Sequence, residues 1–342
     1  MDIYICNKFH GAREVAEQLK NTGIAENVYF VENIDYDSIG GIRKQISILS
    51  GLVFPGSTIK HYVAGKIELS EKKYEYIVSS GYLNFNIIFN TYFKKKNQNL
   101  KIIFLDDGME SYLEKNTKDT YSAIYTTVSR MLKIGGAVMD VEKLFVYAPQ
   151  LVKNPKRYES IEVLPSLSEG TKEFFELMNY IFKFDVKKVG QKTRVIYFDQ
   201  LSTGDFNNEA YIELQKEILD IFGRHWDMSE WSIKMHPRAR LDLYDKKCQK
   251  LTSRIPWELF CQQYVDDDSV LIAISSTACF TPKIIYDMEP TVILLEKLFD
   301  NDTNRGVSGY FESVRGIYKD KSKVFIPESI EELQEIVHEI QL

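Results

Sequence analysis

Cysteine is scarce in this sequence, and its spacing indicates neither a zinc site nor a disulfide framework. The four cysteines are Cys6, Cys248, Cys261 and Cys279, and no two of them have the CxxC spacing that is typical of zinc sites. Their scatter also argues against a disulfide framework. We therefore expect no metal centre built on thiolates, and we expect a protein of the reducing cytoplasm.

Long hydrophobic runs and an excess of positive charge are missing as well. No apolar run approaches the roughly 18 residues that indicate a membrane-spanning helix. The stretch from Ile3 to Cys6 is too short for the apolar part of a signal peptide, and no basic segment precedes it. The 43 basic and 49 acidic residues give a net charge of −6, which argues against general nucleic-acid binding.

What the sequence does contain is a regular alternation of short apolar runs with amphipathic stretches. Of its 342 residues, 44% are hydrophobic and 27% are charged, which excludes disorder and allows one large domain or two of ordinary size. The alternation is the βαβ signature of a mainly parallel sheet in an α/β fold. Strands are predicted near 3–6, 28–31, 75–79, 101–105, 144–148, 194–198, 231–235, 270–274, 291–295 and 323–326. Helices are predicted near 83–96, 171–183 and 207–222, and after Ser329, which forms a capping-box pattern with Glu332.

The segment between Lys183 and Arg194 interrupts both periodicities and predicts the boundary between two domains. We expect an N-terminal domain over 1–185 and a C-terminal domain over 190–342. The last helix is a candidate to pack back on the N-terminal domain. Two α/β units of similar size that face each other would hold their ligand in the cleft between them.

Two carboxylates and a glycine follow the apolar run 102–105, at the mouth of a predicted buried strand. They are Asp106, Asp107 and Gly108. Carboxylates at a strand end escape the core yet stay fixed by it, which is typical of a site. The alternatives are a β-turn with its usual Asp and Gly, and a Mg²⁺ site built on paired aspartates. Because no third ligand stands out, we favour a carboxylate that acts as a base.

A histidine follows a predicted strand in the second half of the chain. Pro237 stops that strand and fixes the turn, which leaves His236 at the carboxyl edge. An imidazole in that place can hydrogen-bond a phosphate or protonate a leaving oxygen. Lys234, Arg238 and Arg240 add positive charge nearby. The alternative is a structural histidine that caps a loop.

Three hydroxyl side chains follow the predicted strand 270–274 and precede a helix predicted over 278–286. They are Ser275, Ser276 and Thr277. Hydroxyls and unpaired N–H groups at a helix N-terminus form an anion site. Ordinary N-capping by Ser or Thr is the alternative.

Glu258 is a fourth candidate, in a loop that enters a short helix with Pro256 in its first turn. A carboxylate that lies in the chain between the histidine and the hydroxyl cluster can accept hydrogen bonds from a ribose diol. The alternative is a first-turn glutamate that only complements the helix dipole.

Three short motifs thus occur in the order in which the bacterial sialyltransferases carry them: acidic-acidic-Gly, His-Pro and Ser-Ser/Thr. They are Asp106-Asp107-Gly108, His236-Pro237 and Ser275-Ser276-Thr277. The sequence resembles the lipooligosaccharide sialyltransferase family (glycosyltransferase family 52) and, more distantly, the polysialyltransferases. Each motif is short, and the resemblance rests on their order and their placement at strand ends.

The resemblance implies a GT-B-like fold, in which two Rossmann-like domains with mainly parallel sheets face a central cleft. The N-terminal domain would take the acceptor and the C-terminal domain would bind the CMP-sugar. The resemblance also implies CMP-sialic acid as the donor, inversion at the anomeric carbon, and no metal or other cofactor. We therefore expect metal-independent transfer of sialic acid to a glycan with terminal galactose, either lipooligosaccharide or a capsule repeat.

Carried over by position, the resemblance makes Asp106 or Asp107 the general base that deprotonates the acceptor hydroxyl. Strand alternation points the two side chains to opposite faces, so only one can be the base. The family's first acidic position favours Asp106. Asp199 and Asp205 are alternative bases, because the loop after strand 194–198 also faces the predicted cleft.

The donor side is carried over in the same way. His236, with Pro237 beside it, would bond the CMP phosphate and assist its departure. Ser275, Ser276 and Thr277 would hold the same phosphate, and Glu258 would bind the cytidine ribose.

Three other functions stay open beside this one. The donor sugar can be Kdo or another nonulosonic acid, or the enzyme can be a CDP-glycerol phosphotransferase of the teichoic-acid type. The third is a glycan- or nucleotide-binding module without turnover. Because the sequence lacks the N-terminal membrane anchor of some relatives, we expect a cytoplasmic protein whose contact with the inner face of the membrane is peripheral. The acceptor linkage and a homodimeric state are left open by the sequence.

Overall fold

The structure is a computed structural model. It describes residues 2–6, 27–31, 76–80, 101–106, 108–109, 111–113, 143–164, 166–169, 175–176, 179, 184–185, 192–200, 209–235, 244, 246–251, 256–299 and 305–340. The predicted helix near 83–96 lies outside these residues. So do the candidate site residues Asp107, Asp205, His236 and Pro237.

The chain divides into two compact units, Met1–Leu164 and Pro165–Leu342. This boundary lies earlier than the join predicted between Lys183 and Arg194. The reason is that the segment after Leu164 packs on the second unit. The Ser166 hydroxyl donates to the Ile285 carbonyl oxygen at 2.8 Å, and the Phe184 ring meets the Phe260 ring edge-on at 5.1 Å.

The first unit contains six described strands, and all of their pairings are parallel. They are β1 (Asp2–Cys6), β2 (Asn27–Val31), β3 (Tyr76–Ser80), β4 (Lys101–Leu105), β5 (Lys143–Val146) and β6 (Ser160–Val163). β1 pairs with β2, and the other four form one sheet in the order β3-β4-β5-β6. β6 was not predicted, because it is a four-residue edge strand with only two apolar residues, and it leaves Val163 63% exposed.

The second unit contains one six-stranded parallel sheet in the order β12-β11-β10-β7-β8-β9. Its strands are β7 (Val195–Phe198), β8 (Trp231–Lys234), β9 (Gln249–Leu251), β10 (Val270–Ala273), β11 (Thr291–Leu294) and β12 (Val324–Phe325). This is the strand order of the dinucleotide-binding α/β fold, with β7 as its first strand. The predicted strands of this half are therefore confirmed. β9 was missed because it is short and carries two polar residues out of three.

Five α-helices of the second unit have both ends among the described residues. They are α1 (Glu209–His225), α2 (Trp257–Tyr264), α3 (Thr281–Tyr286), α4 (Arg305–Ile317) and α5 (Ile330–Glu339). α1 confirms the helix predicted over 207–222. Within the helix predicted over 171–183, the described residues Phe175, Glu176 and Asn179 are helical. None of the helices that the structure describes is both long and apolar enough to cross a bilayer.

The core of the second unit lies on both faces of its sheet. Every residue of β7 and β10 is buried, as expected for central parallel strands that helices cover on both sides. α1 contributes Ile218 and Phe222 to this core.

The last helix, α5, packs on the second unit itself. The Trp226 indole N–H donates to the carbonyl oxygens of Val337 and Ile340, each at 3.2 Å. The predicted cap is also present, because the Ser329 hydroxyl accepts the Glu332 N–H at 3.2 Å. The Glu332 carboxylate accepts the N–H of Glu328 rather than that of Ser329.

Candidate functional site

The carboxyl edge of the six-stranded sheet is where the second unit can bind a ligand. β7 lies between β8, which leads to one side of the sheet, and β10, which begins the other side. Ligands of open parallel sheets bind outside the carboxyl ends of the strands at such a reversal of strand order. Asp199 and Gln200 follow β7 at this point, Met235 follows β8, and Ser275 lies just beyond β10.

The hydroxyl residues Ser275, Ser276 and Thr277 lie at this edge and are half-buried. The Ser275 N–H donates to the Gln200 side-chain oxygen at 2.8 Å, which joins the ends of β10 and β7. The Ser276 hydroxyl accepts the Ala278 N–H at 3.3 Å and so caps the turn that follows. The helix predicted over 278–286 is in fact a 3₁₀ turn, Thr277–Phe280, followed by α3.

Glu258 lies exposed in the first turn of α2, directly after Trp257. The Trp257 indole N–H donates to the Ala278 carbonyl oxygen at 2.8 Å, and the Tyr286 hydroxyl donates to the Glu258 carbonyl oxygen at 2.8 Å. The start of α2 is therefore fixed at two points to the segment that begins with the hydroxyl residues. The structure thus packs together two elements that the sequence separates by about twenty positions.

Lys234, the last residue of β8, completes this group. Its ammonium nitrogen lies 4.7 Å from the centroid of the Phe260 ring in α2. Burial lowers the pKa of Lys234 to about 8, against an opposing effect of the Glu258 charge. We call Lys234, Glu258, Ser275, Ser276 and Thr277 the switch-point cluster. His236 and Pro237 follow Lys234 closely in the chain but lie outside the described residues.

Asp199, one of the alternative bases, is only 2% exposed. Its carboxylate accepts the Tyr244 hydroxyl at 2.7 Å, and that hydroxyl accepts the Gln215 amide N–H at 3.3 Å. Burial raises the pKa of Tyr244 well above its usual value, so the phenol stays protonated and donates. Because a base for an acceptor hydroxyl must be reached from solvent, this core position favours the other aspartates.

Asp106 follows β4 in the first unit and is half-buried. Its Oδ1 accepts the Gly108 N–H at 2.8 Å. Its Oδ2 accepts the Tyr147 N–H at 3.2 Å and also the Tyr112 hydroxyl. The carboxylate therefore lies between the end of its own strand and the end of β5, the neighbouring strand.

Gly108 takes the turn that the Asp-Gly pattern predicts. Its φ is +73°, a left-handed conformation that glycine adopts without the penalty of a Cβ atom. Its carbonyl oxygen accepts the Ser111 N–H at 3.0 Å, and the chain continues through Tyr112 to Leu113. We call the segment 106–113 the Asp106 turn. The bond from the Gly108 N–H to the Asp106 side chain is that of an Asx-turn, which holds the carboxylate against the chain that follows it.

The sequence did not single out three residues that hold these groups in place: Gln200, Trp257 and Tyr112. Gln200 follows the strand 194–198 and Trp257 follows Pro256, so both adjoin patterns that were noted. Tyr112 carried no signal, because its partner becomes its neighbour only when the turn closes. In the described part of the chain, no three His, Cys, Asp or Glu side chains come close enough to hold a metal ion.

No protein-family model matches the sequence, and no curated protein matches it significantly. Several solved structures are similar to the chain, and two of them match it over most of its length. A crystal structure of sialyltransferase from Photobacterium damsela matches with a TM-score of 0.51 and 14% identity, covering 95% of this chain and 81% of that one. A crystal structure of sialyltransferase from Photobacterium damselae, limited to its GT-B domain, has a TM-score of 0.49 and 12% identity, covering 95% and 100%. The first similarity shows the fold and confirms the predicted class: parallel α/β sheets in a GT-B-like chain.

Proposed function

We propose that the protein is an inverting sialyltransferase that moves sialic acid from CMP-sialic acid to a galactose-terminated bacterial surface glycan. One observation carries this proposal. The switch-point cluster brings a cation, a carboxylate and hydroxyl groups to the carboxyl edge of a nucleotide-binding type of sheet, in a chain that has the fold of a sialyltransferase.

The switch-point cluster suits the cytidylate part of the donor. Ser275, Ser276 and Thr277 would hold the phosphate, with His236 as a further donor of a hydrogen bond and the charge of Lys234 nearby. Glu258 is exposed, so its carboxylate can accept hydrogen bonds from both hydroxyls of the ribose. The hydrogen bond from the Trp257 indole to the Ala278 carbonyl oxygen would keep Glu258 at a fixed separation from the hydroxyl residues.

Asp106 would supply the base. The acceptor oxygen attacks the anomeric carbon, its proton passes to the Asp106 carboxylate, and the bond from that carbon to the phosphate oxygen breaks. The attack comes from the face opposite the leaving group, so the configuration inverts. CMP departs as a monophosphate, whose charge hydrogen bonds and an imidazole can stabilise without a metal ion. A positioned base typically contributes about 10²–10⁴-fold in rate.

The test is transfer from CMP-sialic acid to a panel of β-galactosides, with and without EDTA. The wild-type chain should form sialylated product and free CMP at the same rate in both conditions, and Asp106→Asn should not. Asp220→Asn, an exposed aspartate on α1, is the control and should be as active as wild type. Consumption of CMP-Kdo or CDP-glycerol in place of CMP-sialic acid would replace this proposal by the corresponding transferase, and loss of transfer in EDTA would refute metal independence.

A further inference from the structure

Tyr112 is a buried tyrosine whose hydroxyl lies on the candidate base. The side chain is 2% exposed, and its hydroxyl contacts Oδ2 of Asp106. The same hydroxyl oxygen accepts the Ala148 N–H at 3.4 Å. The backbone of Tyr112 is also held, because its carbonyl oxygen accepts the Lys153 N–H at 3.1 Å. Tyr112 is therefore fixed at both its main chain and its phenol group.

The direction of the bond between Tyr112 and Asp106 follows from this geometry. A phenol has one proton to give. The Ala148 N–H can only donate, so it points at the phenol oxygen and leaves the phenol proton for the carboxylate. Hydrogen bonds that are donated to a carboxyl group stabilise its ionised form. Tyr112 thus favours the charge state that a general base requires.

Tyr112 also differs in kind from the other two donors to Asp106 named above. Gly108 and Tyr147 donate through backbone N–H groups, which fix the carboxylate to the ends of β4 and β5. The phenol donates through a buried side chain. A substitution can remove this hydrogen bond and leave both backbone bonds in place.

We propose that Tyr112 is a positioning residue for Asp106: it orients the carboxylate toward the acceptor hydroxyl and keeps it ionised. This inference rests on the proposed function, because it assumes that Asp106 is the base. Tyr112 itself touches neither substrate, and it acts only through the carboxylate.

The first test is Tyr112→Phe, which keeps the ring and removes the hydroxyl. We expect kcat to fall about 10- to 100-fold, because a hydrogen bond to a charged group is lost. The KM for CMP-sialic acid should stay within about twofold, and the acid limb of the pH–rate profile should move up by about one pH unit. Tyr318→Phe is the matched control, since Tyr318 is buried and its hydroxyl has no hydrogen-bond partner within the described residues. It should leave both kcat and the pH profile unchanged.

A second substitution strengthens the hydrogen bond that Tyr112→Phe removes. Replacing Tyr112 by 3,5-difluorotyrosine keeps the shape but makes the phenol a stronger donor, so the acid limb should move to lower pH. A purely structural role for Tyr112 would shift the melting temperature and leave this limb where it is. This variant also serves if Tyr112→Phe does not fold.

The outcomes separate this inference from the proposed function. If wild type transfers sialic acid, Asp106→Asn does not, and both Tyr112 variants keep the wild-type pH profile, then only the inference is overturned. If Asp106→Asn is fully active, the base assignment and the inference fall together.

Difference infrared spectra of wild type against Asp106→Asn follow the protonation of the Asp106 carboxylate without any substrate. These spectra give the pH at which half of the Asp106 carboxyl groups are protonated. A higher value of this pH in Tyr112→Phe than in wild type supports the inference, and an unchanged value overturns it.

Discussion

Asp106 and the switch-point cluster are held in place in different ways. The Asp106 turn is mainly local: its carboxylate binds the N–H two residues on and a hydroxyl six residues on, with one bond to the neighbouring strand end. The switch-point cluster depends on bonds between residues 75, 21 and 28 positions apart. A local turn makes a carboxylate rigid, whereas packing between distant elements sets the separations that a larger ligand requires. Under the proposed function, the first arrangement would carry proton transfer and the second would carry donor binding.

The largest expected effect is on kcat, and it distinguishes Asp106 from the switch-point cluster, whose loss should affect donor binding. Asp106→Asn should lower kcat by about 10²–10⁴-fold, because the base is lost while the donor contacts remain. The affinity for CMP, measured by titration calorimetry, should stay within about twofold of wild type. Normal turnover in Asp106→Asn would contradict the assignment and direct attention to Asp107 or Asp205.

The next effect tests the bonds between distant elements. Trp257→Phe removes the indole N–H that donates to Ala278 and loosens the start of α2, so the KM for CMP-sialic acid should rise about tenfold, at a stability cost of about 1–2 kcal/mol. Trp226→Phe is the matched control, because it also loses indole hydrogen bonds to carbonyl oxygens but lies beside α5. An equal rise in KM for both variants would show that stability alone is being measured.

A smaller effect should appear in the dependence of donor binding on pH. Because burial lowers the pKa of Lys234 to about 8, its charge is present below that pH and lost above it. The KM for CMP-sialic acid should therefore rise about three- to fivefold between pH 7 and pH 9, as expected for loss of one partly screened charge. Lys234→Arg keeps its charge throughout and should give a flat profile. If the KM of Lys234→Arg also rises between pH 7 and pH 9, the pH dependence belongs to another group.

Loss of the Lys234 proton should weaken donor binding as the pH rises, but it should increase the stability of the folded chain. In the unfolded chain Lys234 has its usual pKa of 10.5, whereas in the folded chain burial lowers that pKa to about 8. The unfolded state therefore binds more protons between these values, and this residue makes the free energy of unfolding rise with pH across that window. Denaturant unfolding of wild type and Lys234→Met at pH 7.5 and 10 measures the difference.

The smallest effect compares two glycines. A Cβ atom at Gly108 meets no atom of the described residues within 4 Å, so the expected cost of Gly108→Ala comes from its φ of +73° and is about 1 kcal/mol. Gly316 is equally open but lies in α4, so Gly316→Ala should raise stability by about 0.5–1 kcal/mol. Thermal unfolding should move the two melting temperatures in opposite directions, and a fall in both would contradict the turn geometry.

The sequence predicted most of the second sheet because its central strands are continuous apolar runs. β7 and β10 are buried on both faces and have no polar residue to obscure them, whereas the short or edge strands β9 and β6 have mixed composition and were missed. Periodicity is a property of a segment, so it could not show where the two units divide. That boundary depends on contacts such as the one between Ser166 and Ile285.

The candidate site divides in the same way. Asp106, Glu258 and the hydroxyl residues could be chosen as candidates because residue type and position beside a predicted strand or helix are visible in the chain. Trp257 and Tyr112 could not, because each matters through a partner that folding supplies. The burial of Asp199 was also invisible, since it depends on Tyr244 closing over the end of β7. Short patterns thus indicate which groups can react, and packing decides which of them are exposed and oriented.

Titration of CMP into Ser275→Ala tests the central claim most directly. This substitution removes one hydroxyl of the switch-point cluster and keeps the backbone bond to Gln200. We predict that wild type binds CMP and that Ser275→Ala binds it about tenfold more weakly, as loss of a hydrogen bond to a charged phosphate requires. Ser313→Ala, exposed on α4, should bind like wild type. Equal affinity of Ser275→Ala and wild type, or no binding of CMP to either, would contradict the account.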